Sequence, residues 1–105
     1  MSSDTAKWTS FLEREWSKPQ GFLGRAREGQ FDPEDGKRFV VGLKAIRLPA
    51  ESKVMDRHLV SLLWYIPLFL SWQRDRIIEN GGDAASFEKV SNEVQTLVEE
   101  ILGVP

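Results

Sequence analysis

His58 is the only histidine in the chain, so it is the first residue to test for chemistry near neutral pH. A general base needs a partner that orients its ring, and the carboxylates closest in sequence are Glu51 and Asp56. Asp56 lies two residues away, and residues two apart on a helix point in different directions. His58 instead sits four residues after Val54 and four before Leu62, on an apolar face. It reads as a core or core-edge histidine bonded to a carbonyl or to water. No catalytic residue is assigned, and no enzymatic role is expected.

Metal chemistry finds no ligand set. There is no cysteine and no second histidine, which removes thiolate sites and His pairs, and no HExxH or EF-hand loop is present. The residue three before His58 is Met55, so the Glu-x-x-His pattern of di-iron bundles is missing too. Glu13-x-Glu15 and Glu99-Glu100 read as solvated faces. Gly21-Phe22-Leu23-Gly24-Arg25 has the glycines of a phosphate loop, but it lacks the Lys-Ser/Thr pair and follows no strand. No metal or cofactor is expected.

The aromatic and basic residues leave binding roles open. Four tryptophans are many for 105 residues. Trp8 and Trp16 fall on a core stripe. Projected at 100° per residue, Trp64 falls with Val60 on the side of Arg57 and Ser61, away from Leu59, Leu62 and Ile66. Trp72, Arg74 and Arg76 follow soon after. The plain expectation for a central helix is that a neighbour covers Trp64 and Trp72. Left open, they form with Arg57, Arg74 and Arg76 the candidate partner-binding set, because Trp and Arg are enriched in binding hot spots.

The elements that would position these residues are helical. Apolar residues recur every three or four positions, and no alternating run bounded by turn signals suggests a strand. The spacing predicts a first helix over about Thr5 to Ser17, capped by Asp4, with Trp8, Phe11, Leu12 and Trp16 inward. Pro19 stops it and opens a short second helix that buries Phe22, Leu23 and Ala26 and ends at Gly29. Asp32-Pro33-Glu34-Asp35 starts a third helix running to about Arg47, with Phe39, Val40, Leu43 and Ile46 inward. Gly36 and Gly42 weaken it, and close packing against a neighbour is a reason for Gly42. Leu48 to Ser52 is a turn. A fourth, central helix then starts near Ser52 and is apolar nearly all round through Val54, Met55, Leu59, Leu62, Leu63, Tyr65 and Ile66. It kinks at Pro67 and continues to Asn80. Asp83 caps the last helix, which buries Phe87, Val90, Val94, Leu97, Val98, Ile101 and Leu102 and closes at Gly103. The expected fold is all-α, a single domain over residues 1–105. It is a compact bundle of about five helices around a central, Pro67-kinked apolar helix.

Composition bounds the function classes. At 41% hydrophobic and 29% charged, the chain is globular. The longest apolar stretch, Leu59 to Trp72, is shorter than the roughly 20 residues of a membrane span. The first residues lack the basic-then-apolar pattern of a secretory leader, so a cytoplasmic location is expected. Net charge is −2, distributed as −1 over residues 1–17, +3 over 18–57 and −4 over 58–105. That split is mild for a nucleic-acid binder. The middle segment holds Arg25, Arg27, Lys37, Arg38, Lys44, Arg47, Lys53 and Arg57. It supplies a runner-up reading, a helix-turn-helix regulator, but Glu51 and Asp56 would then face phosphates.

The leading expectation is a non-enzymatic protein-binding module whose partner is another protein. Self-association through Trp64 or Trp72 is an alternative. Small acidic helical proteins of this kind include bacterial immunity proteins that block a cognate toxin. That likeness is one of class, and it suggests that the acidic stretch Asp83 to Glu100 mimics an anionic substrate.

Overall fold

The computed structural model describes residues 3–17, 19–47 and 54–105. Within them lie six helices and no strand: α1 Ser3–Trp16, α2 Phe22–Arg27, α3 Pro33–Lys44, α4 Arg57–Trp64, α5 Ile66–Glu79 and α6 Ala84–Leu102. The all-α expectation holds. The sixth helix arises because the central helix divides at Tyr65. Helices α3 and α5 pack on α6, while α1 packs on α4 and α2, and α2 on α5. No helix of the described residues is long and apolar enough to cross a membrane.

Local sequence explains most boundaries. The Asp32 carboxylate accepts from the Glu34 N–H at 3.0 Å, and Pro33 takes the first position of α3, where its missing N–H costs nothing. Asp83 caps α6 through the Ser86 N–H at 2.9 Å. The Ser86 side-chain and backbone hydrogen bonds hold the Asp83 carboxyl below its ordinary pKa. Gly29 and Gly103 take φ of 75° and 85° just past the ends of α2 and α6, in the left-handed region that glycine occupies without strain. Gly42 lies so close to Phe11 that a Cβ would strike its ring, which accounts for a glycine inside α3.

Four boundaries differ from expectation. Asp4 lies inside the first turn of α1 and does not precede it. Pro19 sits in a turn before α2, whose N-cap is Gly21, because the chain must pass tightly against the end of α1. Helix α3 ends at Lys44, short of Arg47, although Ile46 is still buried beyond it. Helix α4 starts at Arg57. Asp56 caps it, accepting from the Leu59 N–H at 2.9 Å, so Val54 and Met55 precede the helix and Val54 is exposed. The turn expected over Leu48 to Ser52 and a helix start at Ser52 lie outside the described residues. Replacing this cap, as Asp56→Ala, is expected to lower stability by about 1 kcal/mol, read as a fall in the urea midpoint at unchanged slope.

At Tyr65 the chain keeps right-handed helical angles, φ −78° and ψ −18°, so the interruption is a single-residue kink. Pro67 falls in the first turn of α5. Regular bonding has resumed by Phe69, whose N–H donates to the Tyr65 carbonyl at 2.8 Å.

The ring contacts fall into two groups. Phe11, Phe39, Phe22, Phe31 and Phe87 form a chain of ring contacts through the interior, linking α1, α3, α2 and α6. Trp16, Trp64, Tyr65, Phe69 and Trp72 form a second group along the kink, and this group reaches the surface.

Candidate functional site

Tyr65 is the hinge pin of that second group. Its ring lies 6.2 Å from Trp16, 6.3 Å from Phe69, 5.4 Å from Trp64 and 5.8 Å from Trp72, centroid to centroid. Trp16 supports it from α1, and the indole N–H donates to the Leu62 carbonyl at 3.0 Å. That carbonyl is in the last turn of α4, where helix carbonyls lack partners of their own. The Arg27 guanidinium completes the base, 5.6 Å from the Trp16 ring and 5.4 Å from Phe69, within cation–π range.

On this base Trp64 is 54% exposed, Trp72 61% and Leu68 41%. They are spaced at four-residue intervals and share one side of α4–α5. The expectation that a neighbouring helix covers Trp64 and Trp72 is therefore wrong. The residues that α5 buries, Ile66, Phe69, Leu70 and Ile77, lie on its other side. Projection of the sequence placed Trp64 on the side of Arg57 and Ser61, and all three are exposed.

The other residues of the candidate set part company. Arg57 is exposed on the first turn of α4. Arg74 faces α6, with its Nε 2.8 Å from Glu88 Oε2 and a weaker bond to Asp75 at 3.3 Å. The Glu88 hydrogen bond, then its charge, raises the Arg74 pKa further. Arg76 turns to α2, where its Nη1 donates to the Arg27 carbonyl at 2.8 Å. Asn80, one turn on, donates to the Gly29 carbonyl at 3.1 Å. Together they satisfy carbonyls at the C-terminal end of α2. Arg74 and Arg76 thus fix α5 to its two neighbours, one on each side of the aromatic stripe.

His58 stands apart from the apolar face assigned to it. Its Nε2 meets Glu13 Oε2 at 2.8 Å, and both side chains are 54% exposed. The pair ties α4 to α1. Ser61, three residues on, donates to the His58 carbonyl at 2.7 Å and not to the ring. The nucleophile–base bond of a hydrolytic triad is therefore not formed by this hydroxyl. No group of three or more potential metal ligands occurs among the described residues.

The basic middle segment is partly neutralised. Arg25 meets Asp35 at 3.6 Å, Lys37 meets Glu34 at 3.3 Å, and Arg38 holds both Asp35 and Glu15. Cations engaged by carboxylates are poorly placed to hold phosphates.

Glu15, read from sequence as solvated, is 3% exposed. Arg38 grips it bidentately, Nη1 to Oε2 at 2.7 Å and Nη2 to Oε1 at 2.8 Å, and the Phe22 N–H donates to Oε1 at 3.0 Å. Gly21 offers α2 no side-chain cap, so a carboxylate from α1 takes that place. The hydrogen bonds that Arg38 donates to Glu15 raise the Arg38 pKa above its already high value, and partial burial opposes this without prevailing. A signal for Glu15 is present: at 100° per residue it falls between Phe11 and Trp8 within the core stripe, where a carboxylate requires a partner.

No family model matches this chain, and neither a curated protein nor a solved structure does.

Proposed function

We propose that this chain is a protein-binding module whose contact surface is the outer face of α4–α5. One observation carries the reading: two tryptophan rings, each more than half exposed, rest on a single tyrosine that the core holds from below. A large apolar side chain gains roughly 1.5–3 kcal/mol when it is fully removed from water. Anchors already fixed by ring contacts also lose little rotamer freedom on binding. Exposed aromatic side chains clustered on one face of a rigid scaffold are therefore poised for contact.

Site-specific photo-crosslinking tests this. A photo-reactive amino acid placed at Leu68 is expected to give discrete protein adducts in the native host. Trp64→Ala and Trp72→Ala should each reduce them at least tenfold, as loss of a hot-spot residue contributing about 1.4 kcal/mol or more would. The same probe at Glu99, on the exposed side of α6, is the control. A probe at Leu68 that yields no adduct of any kind would remove the proposal.

A further inference from the structure

We infer that the occupant of this face is a second copy of the same chain, docked antiparallel about a two-fold axis through Leu68. The inference rests on the contact-surface reading and adds the identity of the partner.

Seven exposed residues of α4–α5 form a stripe symmetric about Leu68, and the other exposed residues, His58, Ser71, Arg74 and Arg76, lie off it. Trp64 and Trp72 lie four residues to either side, Ser61 and Asp75 seven, and Arg57 and Glu79 eleven. At 100° per residue, all six fall within about 40° of Leu68 around the helix, and the helical angles at Tyr65 carry the phase from α4 to α5. All seven residues are exposed. In an isologous antiparallel pair, each position meets its counterpart across the axis. Trp64 of one copy then meets Trp72 of the other, and the two Leu68 side chains meet at the centre. Ser61 is set opposite Asp75, so the positions flanking the aromatic centre are polar.

Charge fixes the direction. Arg57 lies at one end of the stripe and Glu79 at the other, and neither forms an ion pair among the described residues. An antiparallel pair sets Arg57 against Glu79 twice. A parallel pair sets like against like at both ends, so only the antiparallel arrangement is complementary. Four aromatic rings and two leucines with charged rims form a modest interface. That places it toward the small end of specific interfaces, with a dissociation constant on the order of micromolar.

Sedimentation equilibrium on the full chain tests the inference. The expected mass rises to twice the 12.0 kDa monomer at concentrations up to roughly 500 μM, well above that constant. Leu68→Arg, at an exposed position, should leave circular dichroism unchanged, leave the melting temperature unchanged when both chains are measured well below the dissociation constant, and abolish the rise. Arg57→Glu should weaken association roughly three- to thirty-fold, since two rim pairs become repulsive, and adding Glu79→Arg should restore it. A wild-type chain that stays monomeric overturns the inference, as does a dimer indifferent to Leu68→Arg or a charge reversal that is not rescued. The two readings separate at the photo-crosslinking probe. A monomer whose Leu68 adducts contain a different protein defeats only the self-pairing, whereas a monomer with no adduct defeats both.

Discussion

Gly21→Ala is expected to destabilise the fold by about 3 kcal/mol, more than the loss of any single helix cap. The cause is space and not backbone conformation. Gly21 has φ −79° and ψ 146°, angles that any residue adopts. A Cβ there would overlap the Glu15 and Arg14 carbonyl oxygens in the last turn of α1. Backbone atoms cannot rotate aside, so α2 would have to move off α1. That shift would stretch the bond from the Phe22 N–H to Glu15. Gly42→Ala is the internal comparison. Its Cβ would meet the ring of Phe11, a half-buried side chain that can move, and alanine regains about 1 kcal/mol of helix propensity. A net loss of about 1 kcal/mol is expected there, so urea unfolding should rank Gly21→Ala well below Gly42→Ala. Equal midpoints would show that the α1–α2 elbow yields as easily as a side chain.

The residues that sequence made legible are those whose partners are near in sequence. Asp32 and Asp83 cap through N–H groups two and three residues away, and Phe87, Val90, Val94 and Val98 bury one face of one helix. Such features depend on period and spacing, which a single chain displays. The missed contacts join distant residues. His58 meets Glu13 across 45 positions, and Arg38 meets Glu15 across 23. Periodicity orients a side chain on its own helix and says nothing of which helix stands opposite. The same gap explains the tryptophans. Projection turned Trp64 away from the main apolar face, but whether another helix covers that side depends on how all the helices assemble. A helix apolar nearly all round is expected to be covered on every side. Division at Tyr65 and packing of α1, α2 and α6 on one side left the other side bare.

The elbow and the exposed stripe are mechanically linked. Trp16 follows Glu15 directly in α1, and its indole both bonds the kink and supports Tyr65. Glu15 holds the start of α2, and Arg27 at the other end of α2 lies over Trp16. The two exposed indoles of the proposed contact surface thus connect to a buried carboxylate one residue from their supporting ring.

The second large effect is expected at the Glu15–Arg38 pair, and it is asymmetric. The Arg38 side chain is 47% exposed and that of Glu15 4%. Without Glu15, the guanidinium still has Asp35 at 2.8 Å and access to water. Without Arg38, the carboxylate is left charged in the interior with the Phe22 N–H as its remaining recorded donor. Removing one partner of a buried pair costs most when the charge left behind is the buried one. Arg38→Ala is therefore expected to lower stability by about 3 kcal/mol, and Glu15→Gln by about 1–2 kcal/mol, because glutamine still accepts from the Phe22 N–H. In the double variant the stranded charge is gone. Adding Glu15→Gln to Arg38→Ala should thus recover about 1 kcal/mol instead of costing more, a coupling that a double-mutant cycle in urea measures directly. If the double variant is less stable than Arg38→Ala alone, Glu15 is not held as a buried charge by Arg38. With Trp8, Trp64 and Trp72 replaced by phenylalanine so that Trp16 is the one indole left, its fluorescence should track the same order if the elbow, through α1, is what keeps Tyr65 in place.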